Sequence, residues 1–189
     1  MSLHKPTRIL TESAACVTLA AVLSLFTLFR MPLGGSVTPF ATLPVILIGM
    51  RHGAKWGIGG ALAFSLTQVL FGMSDVMAIP VMNLGYLALC ILLDYVLAFT
   101  LLGLAGAIAQ RSKNRSAGIT AGVLITGSGR LLCSFLSGIV VWGPFTPDGW
   151  HVAYYSLAYN AAWCLPDTLI TLIALLMLSR VPALDVFRG

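Results

Sequence analysis

NLGYLALCILLDYVLAFTLLGLAGA, residues 83–107, carries a single charged side chain, Asp94, in a run that is otherwise apolar or small. A helix needs about 20 predominantly apolar residues to cross the hydrocarbon core of a bilayer, and this run supplies them. Blocks of the same kind fill most of the chain on either side. They lie at Arg8–Phe29, Thr38–Met50, Trp56–Phe71, Ser116–Trp142 and Tyr154–Leu178, and the quoted run falls within Ala78–Gln110. The reading is an all-α polytopic membrane protein. It has six transmembrane helices in one domain, residues 1–189, with a re-entrant or capping loop after helix one. The second block is short for a full span, which predicts a tilted, recessed or partly re-entrant segment. The stretch Gly72–Asp75 reads as a short loop, and GPFTPDGW, residues 143–150, as a turn.

Composition excludes the soluble alternatives. The chain is 58% hydrophobic and 9% charged, against roughly a quarter charged in ordinary soluble domains. That is too little charge for a water-facing surface. The net charge of +5 reflects membrane orientation, not nucleic-acid binding, because the basic residues sit between apolar blocks. In a six-helix arrangement Lys5 and Arg8, then Arg51, His52 and Lys55, then Arg111, Lys113 and Arg115, then Arg180 and Arg188 all fall on one side. The opposite loops hold Arg30, Asp75, Asp148 and His151. By the positive-inside rule both termini face the cytoplasm. Ser13–Phe29 reads as a retained first helix, not a cleaved leader. Cys16, Cys90, Cys133 and Cys164 lie inside apolar segments without a CxxC pair, which reads as buried packing and not as a disulfide framework or metal site. The chain contains no Walker, Rossmann, HExxH or nucleophile-elbow pattern. We therefore expect a protein that is not an enzyme, has no ATPase of its own and needs no cofactor or metal.

Three ionisable residues stand where lipid makes them costly: Asp94, Arg130 and Asp167. Each should face protein, water or a ligand. Asn83, Tyr86, Cys90 and Asp94 recur at helical spacing. A carboxylate there suits an amine, a cation or an aminopyrimidine edge, or a structural partner such as Arg130. Arg130, Ser134, Gly138 and Trp142 form a second stripe. Arg130 is placed to bond Asp94 or Asp167, and we expect it to neutralise Asp94 without touching a ligand. Gly138 either leaves room for a flat ring or serves helix packing. Trp142 either stacks on a ring or cation or anchors the helix at the interface. Asn160, Cys164 and Asp167 share a face of helix six, where Asn160 can satisfy both donors and acceptors of a heterocycle. Pro166 predicts a break in that helix. Trp150, Tyr154, Tyr155, Tyr159 and Trp163 make the same region aromatic. Together these features predict an outward-facing pocket between helices four, five and six, with MPLGGSV, residues 31–37, closing over it. A small aromatic, cationic solute fits that inventory.

MPLGGSVTPFATLPVILIGMRHG (31–53), LLDYVLAFTLLGLAG (92–106), GRLLCSFLSGIVVWGPFTPDGW (129–150) and YYSLAYNAAWCLPD (154–167) closely resemble, in order and over nearly the whole chain, the thiamine-specific substrate-binding subunits of energy-coupling factor transporters, the proton-coupled thiamine transporter family. The resemblance implies six transmembrane helices, thiamine bound near the outer face and a loop after helix one that covers it. It places the family's ligand-contacting acid on Asp94, followed by Tyr95. Its helix-five glycine and tryptophan fall on Gly138 and Trp142, and its helix-six tyrosine and asparagine on Tyr155 and Asn160. Asp94 stands where the family pattern often has Glu, and Ser134 where a histidine can face the ligand. The implied partners are a transmembrane coupling subunit, docked through small residues of helix one such as Ala14, Ala15, Thr18, Ala20 and Ala21, together with two cytoplasmic ATPases and membrane lipid. The implied location is a bacterial or archaeal cytoplasmic membrane. The alternatives are a solitary proton-coupled transporter of thiamine or a related pyrimidine, an intramembrane enzyme, and a purely structural subunit.

Overall fold

The computed structural model describes residues 4–77 and 83–181. Six helices account for most of them: α1 (His4–Ser24), α2 (Leu43–His52), α3 (Ala54–Met77), α4 (Leu84–Ala109), α5 (Arg115–Val140) and α6 (Val152–Leu178). All but α2 are long and apolar enough to cross a membrane. At about 1.5 Å rise per residue, α2 reaches roughly 15 Å, about half the hydrocarbon thickness. It starts at Leu43 with Pro44 in its first turn; Pro suits that position, where the missing N–H has no helical acceptor.

Several expected boundaries move. The first helix ends at Ser24, not Phe29, and the chain then turns into a two-stranded antiparallel hairpin, β1 (Phe29–Arg30) and β2 (Ser36–Val37). This is strand structure where the sequence read the end of helix one, at Phe29, and a loop, at Met31–Val37. Gly72–Asp75, also read as loop, lies inside α3. The start of the fourth expected block, residues 78–82, lies outside the described residues. Pro166 does not break α6, which runs unbroken across it. Asn83 and Asn114 cap α4 and α5, each side chain accepting the N–H three residues on; such caps stabilise a helix by about 1 kcal/mol.

The irregular helix is α4. It is α-helical over Leu84–Cys90, π-helical over Ile91–Leu97, briefly α again, then 3-10 over Leu101–Leu104. The tight segment puts Gly103 against the backbones of Gly57 on α3 and Gly49 on α2, and Gly106 meets Gly49 as well. Small residues let helices approach at backbone distance, where dispersion and not the hydrophobic effect holds them in lipid.

One end of the bundle is polar. Glu12 of α1 pairs with Arg8 at 2.9 Å, His52 at 3.0 Å and Arg51 at 3.7 Å. Gln110, just past α4, donates to the Met50 carbonyl at 3.2 Å. The start of α1, the end of α2 and the end of α4 therefore meet here, and the hairpin lies at the other end.

A covered cavity between the hairpin and the helices

Beneath the hairpin is a cavity of about 840 Å³, within the range of small-molecule sites. Asp94, Tyr95, Arg130, Ser134, Gly138, Trp142, Tyr155 and Asn160 all line it, so eight sequence-predicted positions from three helices converge. The wall is wider than expected, because Ser24 at the end of α1 and Phe64 and Gln68 of α3 also contribute. Tyr86 does not line it; the residue is 39% exposed on the first turn of α4. Asp167 is buried behind the wall.

The π turn explains the α4 contribution. Cys90, Asp94, Tyr95 and Phe99 all face the cavity. In an uninterrupted α-helix residues five apart lie about 140° apart, so 90 and 95, or 94 and 99, could not share a face. The wider turn brings them together. Gly72 of α3 admits the Tyr95 hydroxyl at a point that a Cβ would occupy.

Asp94 is held from one side. Ser137 Oγ, Trp142 Nε1 (3.2 Å) and Cys90 Sγ (3.4 Å) all donate to its Oδ2. The Ser134 hydroxyl lies beside the same carboxyl. On α6, Asn160 Nδ2 donates to the carbonyls of Ser156 (2.9 Å) and Ser134 (3.2 Å), which engages the amide's donors and not its oxygen. Gly138 is a packing contact, since a Cβ there would strike the Ser156 hydroxyl.

Arg130 does not neutralise Asp94, contrary to expectation. Its Nη1 donates to Asp167 Oδ2 at 2.6 Å, with both side chains buried. The guanidinium lies between the rings of Phe99 (4.6 Å) and Trp163 (4.9 Å), a cation–π setting. Helical spacing allowed either acid, and the azimuth between α5 and α6 decides for Asp167.

The hairpin seats on α6. The Tyr159 hydroxyl accepts the Leu33 N–H (2.8 Å) and donates to the Gly34 carbonyl (3.0 Å). Val37 packs against Trp163 and Cys164. The Thr38 N–H reaches Asp167 Oδ1 at 3.3 Å. Tyr159 and Trp163 belong to the aromatic run of helix six but were not singled out as site residues.

This geometry is that of a polytopic helical membrane protein built around a covered, solute-sized cavity with an acidic and aromatic wall. Residues 10–184 match the family described as thiamine transporter protein (Thia_YuaJ). The chain is 34% identical to the thiamine transporter ThiT of Bacillus subtilis (strain 168), over 88% of this chain and 85% of that one. It is 28% identical to the thiamine transporter ThiT of Lacticaseibacillus paracasei, over 79% and 76%. The solved structure of ThiT from Listeria monocytogenes shares the fold, with a TM-score of 0.78 at 23% identity over 98% of this chain and 100% of that one. The chain belongs to the thiamine transporter protein family.

Proposed function

We propose that this protein captures thiamine from the outer side of a prokaryotic cytoplasmic membrane and passes it inward as the substrate-binding subunit of an energy-coupling factor transporter. The observation that carries the reading is the pairing of acceptors and rings in one cavity. Asp94 of α4 and Asn160 of α6 offer oxygen acceptors to one space, and Trp142, Tyr155, Tyr159 and Trp163 line it with them. Thiamine presents an amino-substituted heterocycle and a fixed positive charge, which such a wall favours over an anion. Membership of a transporter family supports the same reading.

The chain contributes capture and no bond-making chemistry. The hairpin covers the solute, and Asp94 and Asn160 orient its polar edge. The exposed small residues of α1, Ala14, Ala15 and Thr18, offer a face to a transmembrane coupling subunit, with two ATPases beneath it. Ala20 is fully buried and Ala21 partly so, which removes Ala20 from that face.

The test is a titration of purified protein with thiamine, followed by intrinsic tryptophan fluorescence, since Trp142 and Trp163 both line the cavity. Saturable quenching at nanomolar thiamine, weakened at least about tenfold in Asp94→Asn, supports the reading. Absence of binding by folded protein sinks it. Proteoliposome uptake then separates the coupling schemes. A requirement for the coupling subunit and ATP supports the proposal, whereas uptake by this chain alone, driven by a pH gradient, would replace it with solitary proton-coupled transport.

A further inference from the structure

We infer that Ser137, which does not line the cavity, is the positioning residue that sets how Asp94 presents itself to the ligand. The inference rests on the thiamine-binding reading above. Ser137 is fully buried at the α5–α4 contact, and its hydroxyl donates to Asp94 Oδ2. Its carbonyl accepts the N–H groups of Val141 (2.7 Å) and Trp142 (3.2 Å), the two residues just past the end of α5. The Trp142 indole then donates to the same Asp94 oxygen at 3.2 Å. Ser137, Trp142 and Asp94 thus form a closed hydrogen-bonded triangle, with the buried Cys90 thiol as a third donor on Oδ2.

None of these three bonds uses Oδ1. A carboxylate accepts through both oxygens, and three donors on one of them fix the torsion of the whole group. What remains of the carboxyl's acceptor capacity is shared between Ser134, which lies beside it and lines the cavity, and a donor of the solute. A π turn is wider and less uniformly bonded than an α turn, so the donors across on α5 give Asp94 an orientation that its own helix does not enforce. The geometry also gives Trp142 a second role: it holds the acid through its N–H as well as offering a ring. Loss of affinity in Trp142→Phe would mix the two roles, whereas Ser137 carries the positioning role alone.

The experiment is a double-mutant cycle on detergent-purified full-length protein, read as thiamine Kd, together with the infrared carboxyl band that Asp94→Asn removes from the ligand-free protein. Ser137→Ala is expected to weaken thiamine binding about tenfold, the effect of one hydrogen bond to a charged acceptor. In the Asp94→Asn background it should add less than about twofold, and by itself it should shift the Asp94 band. Equal losses in the two backgrounds would mark Ser137 as merely structural and overturn the inference. An unmoved band beside intact thiamine binding would overturn it alone. Wild-type protein that binds no thiamine overturns the functional reading and this inference with it. Should Ser137→Ala not fold, Ser137→Cys keeps the volume with a weak donor, and the same cycle and band decide.

Discussion

Asp167 serves two masters with its two oxygens, the Arg130 guanidinium on one and the Thr38 amide at the foot of the hairpin on the other. Removing one partner of a buried ion pair leaves an uncompensated charge, at a cost of about 3–5 kcal/mol. Asp167→Asn is therefore expected to lower the thermal unfolding midpoint in detergent sharply, and Arg130→Gln to do the same. A double change to Asn and Gln should recover part of the loss, because no lone charge remains. Unfolding monitored by circular dichroism checks all three. At this scale the sequence is informative about which residues matter and poor on who meets whom. Asp94, Arg130 and Asp167 stand out because lipid makes unsatisfied charge costly. Their pairing depends on rotations between helices, which spacing along one helix does not encode. Gln68 and Ser24 escaped notice because an amide and a hydroxyl in an apolar block carry no comparable warning.

Among the elements, the hairpin and α4 show the limits of pattern reading most clearly. The Gly-Gly pair in the hairpin was legible as a break in helix one, and Gly35 shows why glycine is needed there. Its φ is +80°, and a Cβ would lie 2.6 Å from Trp163 Nε1. A non-glycine residue in that backbone region costs about 1–3 kcal/mol. Gly35→Ala should therefore raise the thiamine Kd about tenfold, mostly through faster release, with little change in helix content; stopped-flow fluorescence reads the release rate. The π turn of α4 had no such mark. ILLDYVL, residues 91–97, contains neither Gly nor Pro, and the wide turn rests on partners elsewhere: Ser137 and Trp142 on Asp94, and Gly72 beneath Tyr95. A stripe drawn at α-helical spacing therefore included Tyr86 and missed Phe99. The tight Gly103 and Gly106 contacts lead to a separate expectation. Gly106→Val meets backbone and not a movable side chain, so it should destabilise by about 1–3 kcal/mol or more, seen as a lower unfolding midpoint with unchanged thiamine affinity in whatever protein folds.

For the whole molecule, the helix count and the end of the bundle that carries the cavity were legible, because bilayer thickness and charge placement constrain them directly. The insertion depth of α2 was legible only as shortness. The polar end around Glu12, Arg51 and His52 lies opposite the hairpin, and Lys113 and Arg115 belong to that same end through the α4–α5 turn. If basic loops face the cytoplasm, a cysteine placed at Lys113 in a cysteine-free background should label with an impermeant maleimide only after cells are opened. One placed at Asp148 should label in intact cells. The first span is the least embedded, with 11% of its residues buried. If the proposed coupling subunit docks there, bulky substitutions at Ala15 and Thr18 should leave thiamine binding unchanged and abolish co-purification with it. The loosely wound and tightly wound stretches of α4 twist the helix in opposite senses, so that one works against the other before the glycine contacts begin. Helix four thereby acts as a phase adjuster. The half nearer the hairpin is turned to serve the cavity while the half nearer the polar end keeps its own seating. A wide turn holds one residue more than an α turn, so deleting a single residue between 91 and 97 would let it close to α geometry, parting Cys90 from Tyr95 and Asp94 from Phe99 across the cavity while Gly103 and Gly106 stay where they are.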